Sequence, residues 1–232
     1  MDIRVASDPA TEAARWLARR LRDAVRRRGS ASLALSGGST APALIEACLD
    51  AGTVGAVPWS SVTVWQVDER VAPDGDAARN AGQLEPLPCR VLRMPVTAGD
   101  LRAAARRYGT GLPERFDAVH LGLGDDGHTA SWPPGQPDVI TSPRPVELVA
   151  EFRGLPRMTL TGHVVNAARA RMVLATGAGK RPMVTRWLLA DANLPISAVR
   201  RVGTVVFLDP AAAPDDVPLA RRPPRALDHR RR

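Results

Sequence analysis

Apolar residues along the chain fall into two patterns, a helical spacing and short uninterrupted runs, which predict helices that alternate with buried strands. The first amphipathic stretch begins at Asp8 and Pro9, residue types typical of an N-cap and a first helical position, and it ends at Gly29. Between these limits apolar residues recur every fourth position from Ala13 to Val25. We therefore expect a first helix that packs one face on the core.

The remaining chain repeats the order of strand, turn and helix. Short apolar runs predict strands at residues 31–35, 62–67, 118–123, 147–152, 158–161, 171–176 and 202–208. Helical patterns predict helices at residues 42–49, 101–108, 162–169 and 182–190. Strands that alternate with helices indicate a mostly parallel sheet covered on both faces. The sequence therefore predicts an α/β fold with a single domain over residues 1–210.

The formal net charge of +8 comes from two segments near the ends of the chain. Residues 9–28 contribute +5 from seven Arg against two acidic residues, and residues 211–232 contribute +3 from six Arg against three Asp. Basic segments of this kind bind polyanions weakly and without sequence preference. Aromatic residues make up only 4% of the chain, too few for base-stacking surfaces. We therefore expect solvated charge and no specific nucleic-acid partner.

The rest of the composition narrows the class of protein. Residues 211–232 are rich in Pro and Arg and lack periodicity, which predicts a disordered C-terminal tail. No apolar run reaches the roughly 18 residues of a membrane span, and the N-terminus lacks the apolar segment of a secretory signal. We therefore expect a soluble, cytoplasmic protein with no membrane partner. Cys48 and Cys89 have neither metal-site spacing nor the density of a disulfide scaffold, which indicates two reduced thiols.

Polar clusters follow four of the predicted strands: SGGST (residues 36–40), DER (68–70), GDDGHTAS (124–131) and GAGK (177–180). In an open α/β sheet ligands bind at the carboxyl ends of the strands, so we expect the four loops to share one edge. The first loop offers glycines, hydroxyls and N–H groups that suit a phosphate, from Ser36, Gly37, Gly38, Ser39 and Thr40. A turn with an N-cap hydroxyl explains the same residues, so this loop is not specific by itself.

His128 is the candidate catalytic residue because it shares a tight, glycine-flanked loop with Asp126. An imidazole near its unperturbed pKa of about 6.5 accepts a proton from water at neutral pH, and a nearby carboxylate fixes its tautomer. A capping or surface histidine is the alternative. The other histidines, His120, His163 and His229, share no metal-ligand spacing, so we expect no metal site.

Three cations lie beside the other clusters. Lys180 is the only lysine among 32 Lys and Arg residues, and it stands where a glycine turn enters a predicted helix, which favours a phosphate contact. The alternative is that this single lysine was retained by chance and contacts no phosphate. Arg70 and Arg157 stand beside apolar strands, where structural arginines paired with carboxylates are also common.

Six motifs occur in this order along the chain: LALSGGST, VWQVDER, HLGLGDDGHTAS, PRMTLT, NAAR and ATGAGK. Together they resemble the 6-phosphogluconolactonase family over about residues 30–210. The resemblance implies a Rossmann-like three-layer α/β/α fold, no metal or organic cofactor, and hydrolysis of 6-phospho-D-glucono-1,5-lactone in the oxidative pentose phosphate pathway. It also implies that the SGGST loop, Arg157 and Lys180 hold the 6-phosphate. Asp68 and Arg70 would line the sugar site, and His128 would be the general base.

The related glucosamine-6-phosphate deaminases and isomerases are the main alternative. They resemble one another in an aromatic residue after the acidic pair, where this chain has Arg70. They also carry an acidic residue soon after the histidine, where this chain has HTASWPPG. Lactone hydrolysis needs one base and anion stabilisation, whereas aldose-ketose chemistry needs several acid and base groups, so the lactonase interpretation is favoured. A sugar-phosphate sensor without turnover is a further alternative.

Two departures from the family pattern lie near the expected site. Trp-Pro at residues 132–133 replaces a Leu-Phe pair, and Gly-His at residues 162–163 replaces a Leu-Pro pair. They leave the shape of the sugar pocket and the substrate strictness open. Either Asp126 or Asp68 could orient His128, and Asp126 is favoured. We expect a monomer or weak homo-oligomer whose ligand is a small sugar phosphate.

Overall fold

A seven-stranded parallel sheet forms the centre of the protein in a computed structural model, which describes residues 1–215. The strands are β1 (Asp2–Val5), β2 (Ala31–Leu35), β3 (Val62–Gln66), β4 (Asp68–Arg70), β5 (Arg90–Leu92), β6 (Ala118–Leu121), β7 (Val146–Phe152), β8 (Leu155–Leu160), β9 (Arg171–Ala175) and β10 (Thr204–Leu208). Seven pair in the order β1-β10-β9-β6-β2-β3-β5, with every neighbouring pair parallel. The other three form a small antiparallel sheet in the order β4-β8-β7.

Helices cover both faces of the parallel sheet. They are α1 (Pro9–Arg28), α2 (Ala41–Leu49), α3 (Ala51–Val54), α4 (Leu101–Thr110), α5 (Pro137–Thr141), α6 (Gly162–Ala167) and α7 (Arg181–Leu188). Along β2, Leu33 and Leu35 join the apolar cluster formed with α1 and α2, whereas Ala34 joins the cluster formed with α4 and α7. The protein therefore has three layers. Within the described part of the chain, no helix has the length and apolar character needed to cross a membrane.

The first helix shows how the sequence sets its limits. Asp8 Oδ1 accepts a hydrogen bond from the N–H of Thr11 at 3.0 Å, which satisfies one of the N-terminal donors of α1. Gly29 ends α1 with a φ of +78°, a left-handed conformation that favours glycine. Between these limits the core-facing residues Leu17 and Leu21 are fully buried. The helix is therefore fixed at both ends and along one face, as the apolar spacing predicted.

The order of the strands reverses between β2 and β6. From β2 the chain continues to β3 and β5 on one side of the sheet, and β6, β9 and β10 follow on the other side. Loops at the carboxyl ends of β2 and β6 therefore leave in opposite directions. A crevice opens between such loops, and it is the usual ligand position in open α/β sheets.

The predicted fold class is confirmed, and the differences are local. Each predicted helix and strand occurs within a few residues of its expected limits. The DER motif, expected as a polar cluster after a strand, forms β4 and pairs with β8 in the small antiparallel sheet. All three residues of the motif are charged, so it has no alternation of apolar and polar positions that would predict a strand. The edge strands β1 and β5 were not predicted either, because their four and three residues are too few for a clear pattern.

The chain stays packed beyond the expected end of the domain at residue 210. Ala212 and Ala213 are buried, and Asp209 Oδ1 accepts a hydrogen bond from the N–H of Ala212 at 2.8 Å. Arg181 donates to Asp215 at 2.8 Å. The folded region therefore reaches residue 215, which corrects the predicted boundary. The rest of the predicted tail, residues 216–232, lies outside the described residues.

Candidate active site

A cavity of about 200 Å³ opens at the carboxyl ends of β2, β6 and β9, where the strand order reverses. All four predicted polar loops contribute to its wall. The predicted site residues in the wall are Ser36, Gly37, Gly38, Ser39, Thr40, Asp68, Arg70, His128, Arg157 and Lys180. Asp126, the remaining predicted residue, meets the cavity through its contact with His128. The structure therefore brings the predicted base and the predicted phosphate contacts to one place.

The SGGST loop connects β2 to α2. Gly38 adopts a φ of +104°, and its N–H donates to Gln83 Oε1 at 3.0 Å. Thr40 occupies the N-cap position of α2, but its side chain makes no capping hydrogen bond. A simple turn with an N-cap hydroxyl therefore does not explain Thr40. Thr40 lines the cavity, at a helix N-terminus that attracts anions.

Three buried polar atoms in the cavity wall have no hydrogen-bond partner among the described residues. They are Ser36 Oγ, Arg70 Nε and Asn80 Oδ1. Such atoms are uncommon in folded proteins, because each loses its hydration at a cost of about 1–3 kcal/mol. Their presence around one cavity is typical of a wall that is completed by a ligand or by ordered water.

Glycines in the GDDGH loop make room for the imidazole. The N–H of Gly124 donates to the carbonyl of His128 at 2.7 Å, and Gly127 turns the chain with a φ of +85°. A Cβ at position 124 would lie 1.9 Å from His128 Nδ1. Only glycine therefore allows the ring to lie over the start of its own loop.

His128 and Asp126 form a hydrogen-bonded pair. Asp126 Oδ1 lies 2.5 Å from His128 Nδ1, and the same oxygen accepts the main-chain N–H of His128 at 3.0 Å. Because an ionised carboxylate only accepts hydrogen bonds, Nδ1 carries the ring proton and Nε2 is left as the basic nitrogen. Asp126, rather than Asp68, is therefore the aspartate that contacts the ring.

Burial controls the protonation of this pair. It lowers the pKa of His128, and the positive charge of Arg153 lowers it further, while Asp126 opposes both effects. Burial alone would raise the pKa of Asp126, but the hydrogen bonds from His128 outweigh it and the pKa is lowered. At neutral pH the imidazole is therefore neutral and the carboxylate is ionised.

The hairpin between β7 and β8 covers one side of the pair. The ring of Phe152 packs edge-on against His128, with 4.9 Å between ring centroids. Arg153, at the hairpin tip, donates to Asp125 and also to Asp126 Oδ2 at 3.2 Å. Neither Phe152 nor Arg153 was among the predicted site residues. Their contacts join a hairpin to a distant loop, and no local pattern marks them.

Arg70 and Arg157 occupy opposite positions in the β4–β8 pair. Arg157 is 6% exposed, its Nε donates to the carbonyl of Phe152 at 3.0 Å, and its guanidinium lies over the Phe152 ring. Within residues 1–215, no carboxylate lies within 4.0 Å of either guanidinium. Burial and the facing charge of Arg70 lower the pKa of Arg157. Arg70 also donates to the carbonyl of Ala78 at 2.6 Å, so each arginine has a backbone partner but no carboxylate partner within residues 1–215. The two charges favour an anionic ligand.

Lys180 is the fourth cation of the wall, with Arg70, Arg153 and Arg157. The turn before it begins at Gly177, which has a φ of +91° and donates its N–H to both carboxylate oxygens of Asp209 at 3.0 Å. The N–H of Lys180 donates to the carbonyl of Gly177 at 3.0 Å. The turn is therefore anchored to the end of β10, and it carries the ammonium to the cavity.

Asp68 is buried in the same wall. Ser131 Oγ donates to Asp68 Oδ2 at 2.7 Å. Burial raises the pKa of Asp68, although the hydrogen bond from Ser131 and the charge of Arg70 oppose the rise. A buried carboxyl with a raised pKa is suited to hydrogen-bond a sugar hydroxyl.

Glu69, which was not among the predicted site residues, organises the loop that follows β4. Its fully buried carboxylate accepts the main-chain N–H groups of Arg70, Asn80 and Ala81 at 2.7–2.8 Å. It also pairs with Arg79 at 3.2 Å. One carboxylate therefore fixes Arg70 and Asn80 in the cavity wall. Its place inside the DER motif was the signal that could have identified it.

Asp125, Asp126 and His128 are the one group within residues 1–215 whose ligand atoms could share a metal ion, all within 4.8 Å of one another. Arg153 already pairs with both carboxylates. A guanidinium in this position repels a cation. The arrangement is therefore an ion-pair network, and we assign no metal to it.

The two departures from the family pattern lie in the packing around the site. Trp132 is fully buried, and its Nε1 donates to the carbonyl of Leu160 at 2.8 Å. A Cβ at Gly162 would lie 2.7 Å from the carbonyl oxygen of Ile140, so a larger residue there would displace α5. Both residues thus fit their local surroundings.

Comparison with known proteins agrees with the motifs. The sequence profile of the family described as "Glucosamine-6-phosphate isomerases/6-phosphogluconolactonase" matches residues 5–207. A 6-phosphogluconolactonase from Streptomyces coelicolor is 35% identical over 243 aligned positions, which cover 93% of each chain. The similarity therefore extends over nearly the whole folded region.

Solved structures show the same fold. The crystal structure of 6-phosphogluconolactonase from Thermotoga maritima has a TM-score of 0.79 at 20% identity, and the match covers 90% of this chain and 98% of that one. A monomeric glucosamine-6-phosphate deaminase has a TM-score of 0.76 at 18% identity, with 91% and 98% covered. Both branches share the fold, so the fold does not choose between them. On the profile match and the relative together, the chain belongs to the family of glucosamine-6-phosphate isomerases and 6-phosphogluconolactonases.

Proposed function

We propose that the protein is a 6-phosphogluconolactonase, which hydrolyses 6-phospho-D-glucono-1,5-lactone to 6-phosphogluconate. The observation that carries this proposal is the presence of His128 in one cavity wall with the SGGST loop, Arg157 and Lys180. A base and a cationic anchor in one cavity suit a substrate that carries both a hydrolysable carbonyl and a phosphate. The name of the Streptomyces coelicolor relative points to the same reaction.

The phosphate end of the substrate would be held by cations and by the helix-opening loop. Arg157 is buried and has no carboxylate partner within residues 1–215, and Lys180 offers a compact charge, so a phosphate dianion would neutralise both. The hydroxyls and N–H groups of residues 36–40 would complete the anchor at the N-terminus of α2. Binding a charged group far from the carbonyl orients the lactone and lowers the entropic part of the barrier.

His128 would act first as a base and then as an acid. Nε2 takes a proton from a water molecule, and the water oxygen forms a bond to C1 of the lactone, whose carbonyl oxygen becomes an oxyanion. Arg70, in the same wall, is placed to stabilise that charge. The bond between C1 and the ring oxygen then breaks, and the ring oxygen takes the proton from Nε2. Asp126 keeps the ring oriented through both steps and stabilises the transient imidazolium.

The carboxylates around the cavity favour this reaction over an amino-sugar isomerase or deaminase. Among the wall residues, Asp68 is the only one with a carboxyl group. Asp126 is engaged with His128 and Arg153. Lactone hydrolysis needs one base, whereas ring opening and proton transfer between C1 and C2 need several acid and base groups.

The test is hydrolysis of freshly generated 6-phosphogluconolactone, measured above its spontaneous background. The proposal expects enzyme-dependent hydrolysis and no ammonia release from glucosamine 6-phosphate. Ammonia release would support the deaminase alternative instead. Tight binding of 6-phosphogluconate without turnover of the lactone would support a sensor, and either result would overturn the proposal.

A further inference from the structure

Arg153 has a backbone conformation that arginine rarely adopts. Its φ is +55°, in the left-handed region, and Gly154 follows with a φ of +82°. The side chain of a non-glycine residue is strained in this region, so glycine or asparagine is the usual choice at such a turn. A two-residue hairpin loop requires positive φ at both positions, so turn geometry explains this conformation but not the choice of arginine over asparagine or glycine.

The ion pairs of Arg153 contribute too little to folding stability to explain why an arginine occupies this position. Its side chain is 46% exposed, and that of Asp125, its nearer partner, is 63% exposed. Ion pairs between exposed side chains contribute little to folding, because solvent screens them and both side chains lose rotational freedom. Neither the backbone nor the exposed pair therefore accounts for this arginine.

The second contact of Arg153 leads to the candidate base. Its Nη2 donates to Asp126 Oδ2 at 3.2 Å, and the other oxygen of that carboxylate lies 2.5 Å from His128 Nδ1. The guanidinium also lies over the ring of Phe152, which packs edge-on against His128. Arg153 therefore limits the rotation of the carboxylate that orients the imidazole.

Charged groups approach His128 from three elements. Asp126 belongs to the same loop, Asp68 lies on β4, and Arg153 lies at the tip of the β7–β8 hairpin. Two acidic groups favour the protonated ring, and Arg153 disfavours it. The hairpin thus supplies the positive charge that opposes the two acidic groups.

We propose that Arg153 is a positioning residue for the reaction, which holds the Asp126 carboxylate against His128 and offsets the acidic charge around the imidazole. The inference rests on the proposed lactonase function for its kinetic consequence. Its structural consequence, a change at His128 when Arg153 is replaced, does not depend on which reaction the protein catalyses.

The kinetic test compares Arg153→Gln and Arg153→Lys with the unchanged protein, using 6-phosphogluconolactone across a range of pH. Arg153→Gln should lower kcat roughly tenfold with KM changed less than twofold, because the base is misplaced while Arg157, Lys180 and the SGGST loop are intact. Arg153 also lines the cavity, so a rise in KM would instead show that it contacts the substrate directly. The acidic limb of the pH profile should move to higher pH, and Arg153→Lys should restore most of the activity. The control is Arg144→Gln, which removes another exposed arginine paired with a carboxylate. A KM effect alone, or an unmoved acidic limb, would overturn the proposal.

Two further measurements separate positioning from a structural role. The titration of the His128 ring, followed by NMR, should shift to higher pH in Arg153→Gln, and an unshifted titration refutes the inference even if the protein proves to have another activity. Arg153→Gly should keep or raise the melting temperature, because it relieves the left-handed strain, while kcat falls. A lower melting temperature with unchanged kcat would assign Arg153 to stability instead. Absence of lactone turnover in the unchanged protein would remove the proposed function and leave the NMR result to decide on Arg153.

Discussion

Arg70 and Arg157 stand directly opposite each other on β4 and β8, and no carboxylate of residues 1–215 lies within 4.0 Å of either guanidinium. Like charges at opposite positions of an antiparallel pair destabilise a sheet. The desolvation of Arg157, which is 6% exposed, adds to this cost. The two arginines therefore lower the stability of the folded protein. An anion bound between or beside their guanidinium groups would remove the repulsion.

Inorganic phosphate should raise the melting temperature of the protein, and Arg157→Met should reduce that rise by half or more. A ligand that binds only the folded state stabilises it by about 2.7 kcal/mol at a hundred times its dissociation constant. The measurement is the phosphate-dependent shift for each variant, since Arg157→Met also loses the hydrogen bond to Phe152. Arg106→Met, on the exposed face of α4, is the matched control for net charge. An equal shift in both variants would contradict the phosphate role.

His128→Ala should lower kcat for 6-phosphogluconolactone by about a hundredfold or more, the usual scale for loss of a general base. KM should change little, because the proposed phosphate contacts lie on other loops. The rate must be read above spontaneous hydrolysis at each pH. His163→Ala is the control, since that ring bonds Thr161 and the carbonyl of Ser142 rather than the cavity. Turnover near that of the unchanged protein would remove His128 as the base.

Lys180→Met should raise KM for the phosphorylated lactone by about tenfold, since one charge-assisted hydrogen bond to phosphate is lost. It should leave the rate with unphosphorylated gluconolactone unchanged. The preference for the phosphorylated substrate, measured as a ratio of kcat/KM values, should fall accordingly. Arg106→Met again serves as the control for charge. A preserved preference would show that Lys180 does not contact the phosphate.

The site loops were predictable because each one follows a buried strand with a strong apolar pattern. The SGGST and GDDGH loops contain glycines that the local backbone requires. Gly38 has a positive φ, and Gly124 leaves room for the ring of His128. The edge of the sheet at which these loops meet then follows from the parallel arrangement of the strands. Sequence alone therefore indicated where His128 and the anion loop lie.

The remaining parts of the site depend on contacts between segments far apart in the chain. Strand β4 pairs through its backbone with β8, and the three charged residues of the DER motif do not indicate that partner. Arg153 reaches Asp126 from 27 residues away, and nothing in the sequence of the hairpin tip indicates that partner. Glu69 is the intermediate case, because its motif was noticed but its fully buried position was not. Such roles follow from tertiary packing, which local pattern does not record.

His120 on β6 gives a prediction about stability rather than catalysis. It is fully buried, neither ring nitrogen has a partner among the described residues, and burial lowers its pKa from 6.5 to about 4. Below pH 6.5 the unfolded chain takes up the proton more readily than the native protein, so native stability falls as the pH decreases from 6.5 toward 4. The loss amounts to about 1.4 kcal/mol for each pH unit in this window, or about 2 kcal/mol at pH 5.

His120→Leu should remove this part of the pH dependence. Leucine has a similar volume and no titrating group, so the variant should gain about 2 kcal/mol relative to the unchanged protein between pH 7.5 and pH 5. Urea unfolding at the two pH values measures the difference, and the other titrating groups cancel because both proteins carry them. A difference between the two proteins that stays constant with pH would mean that His120 binds its proton equally readily in the native and unfolded states, so that burial does not lower its pKa.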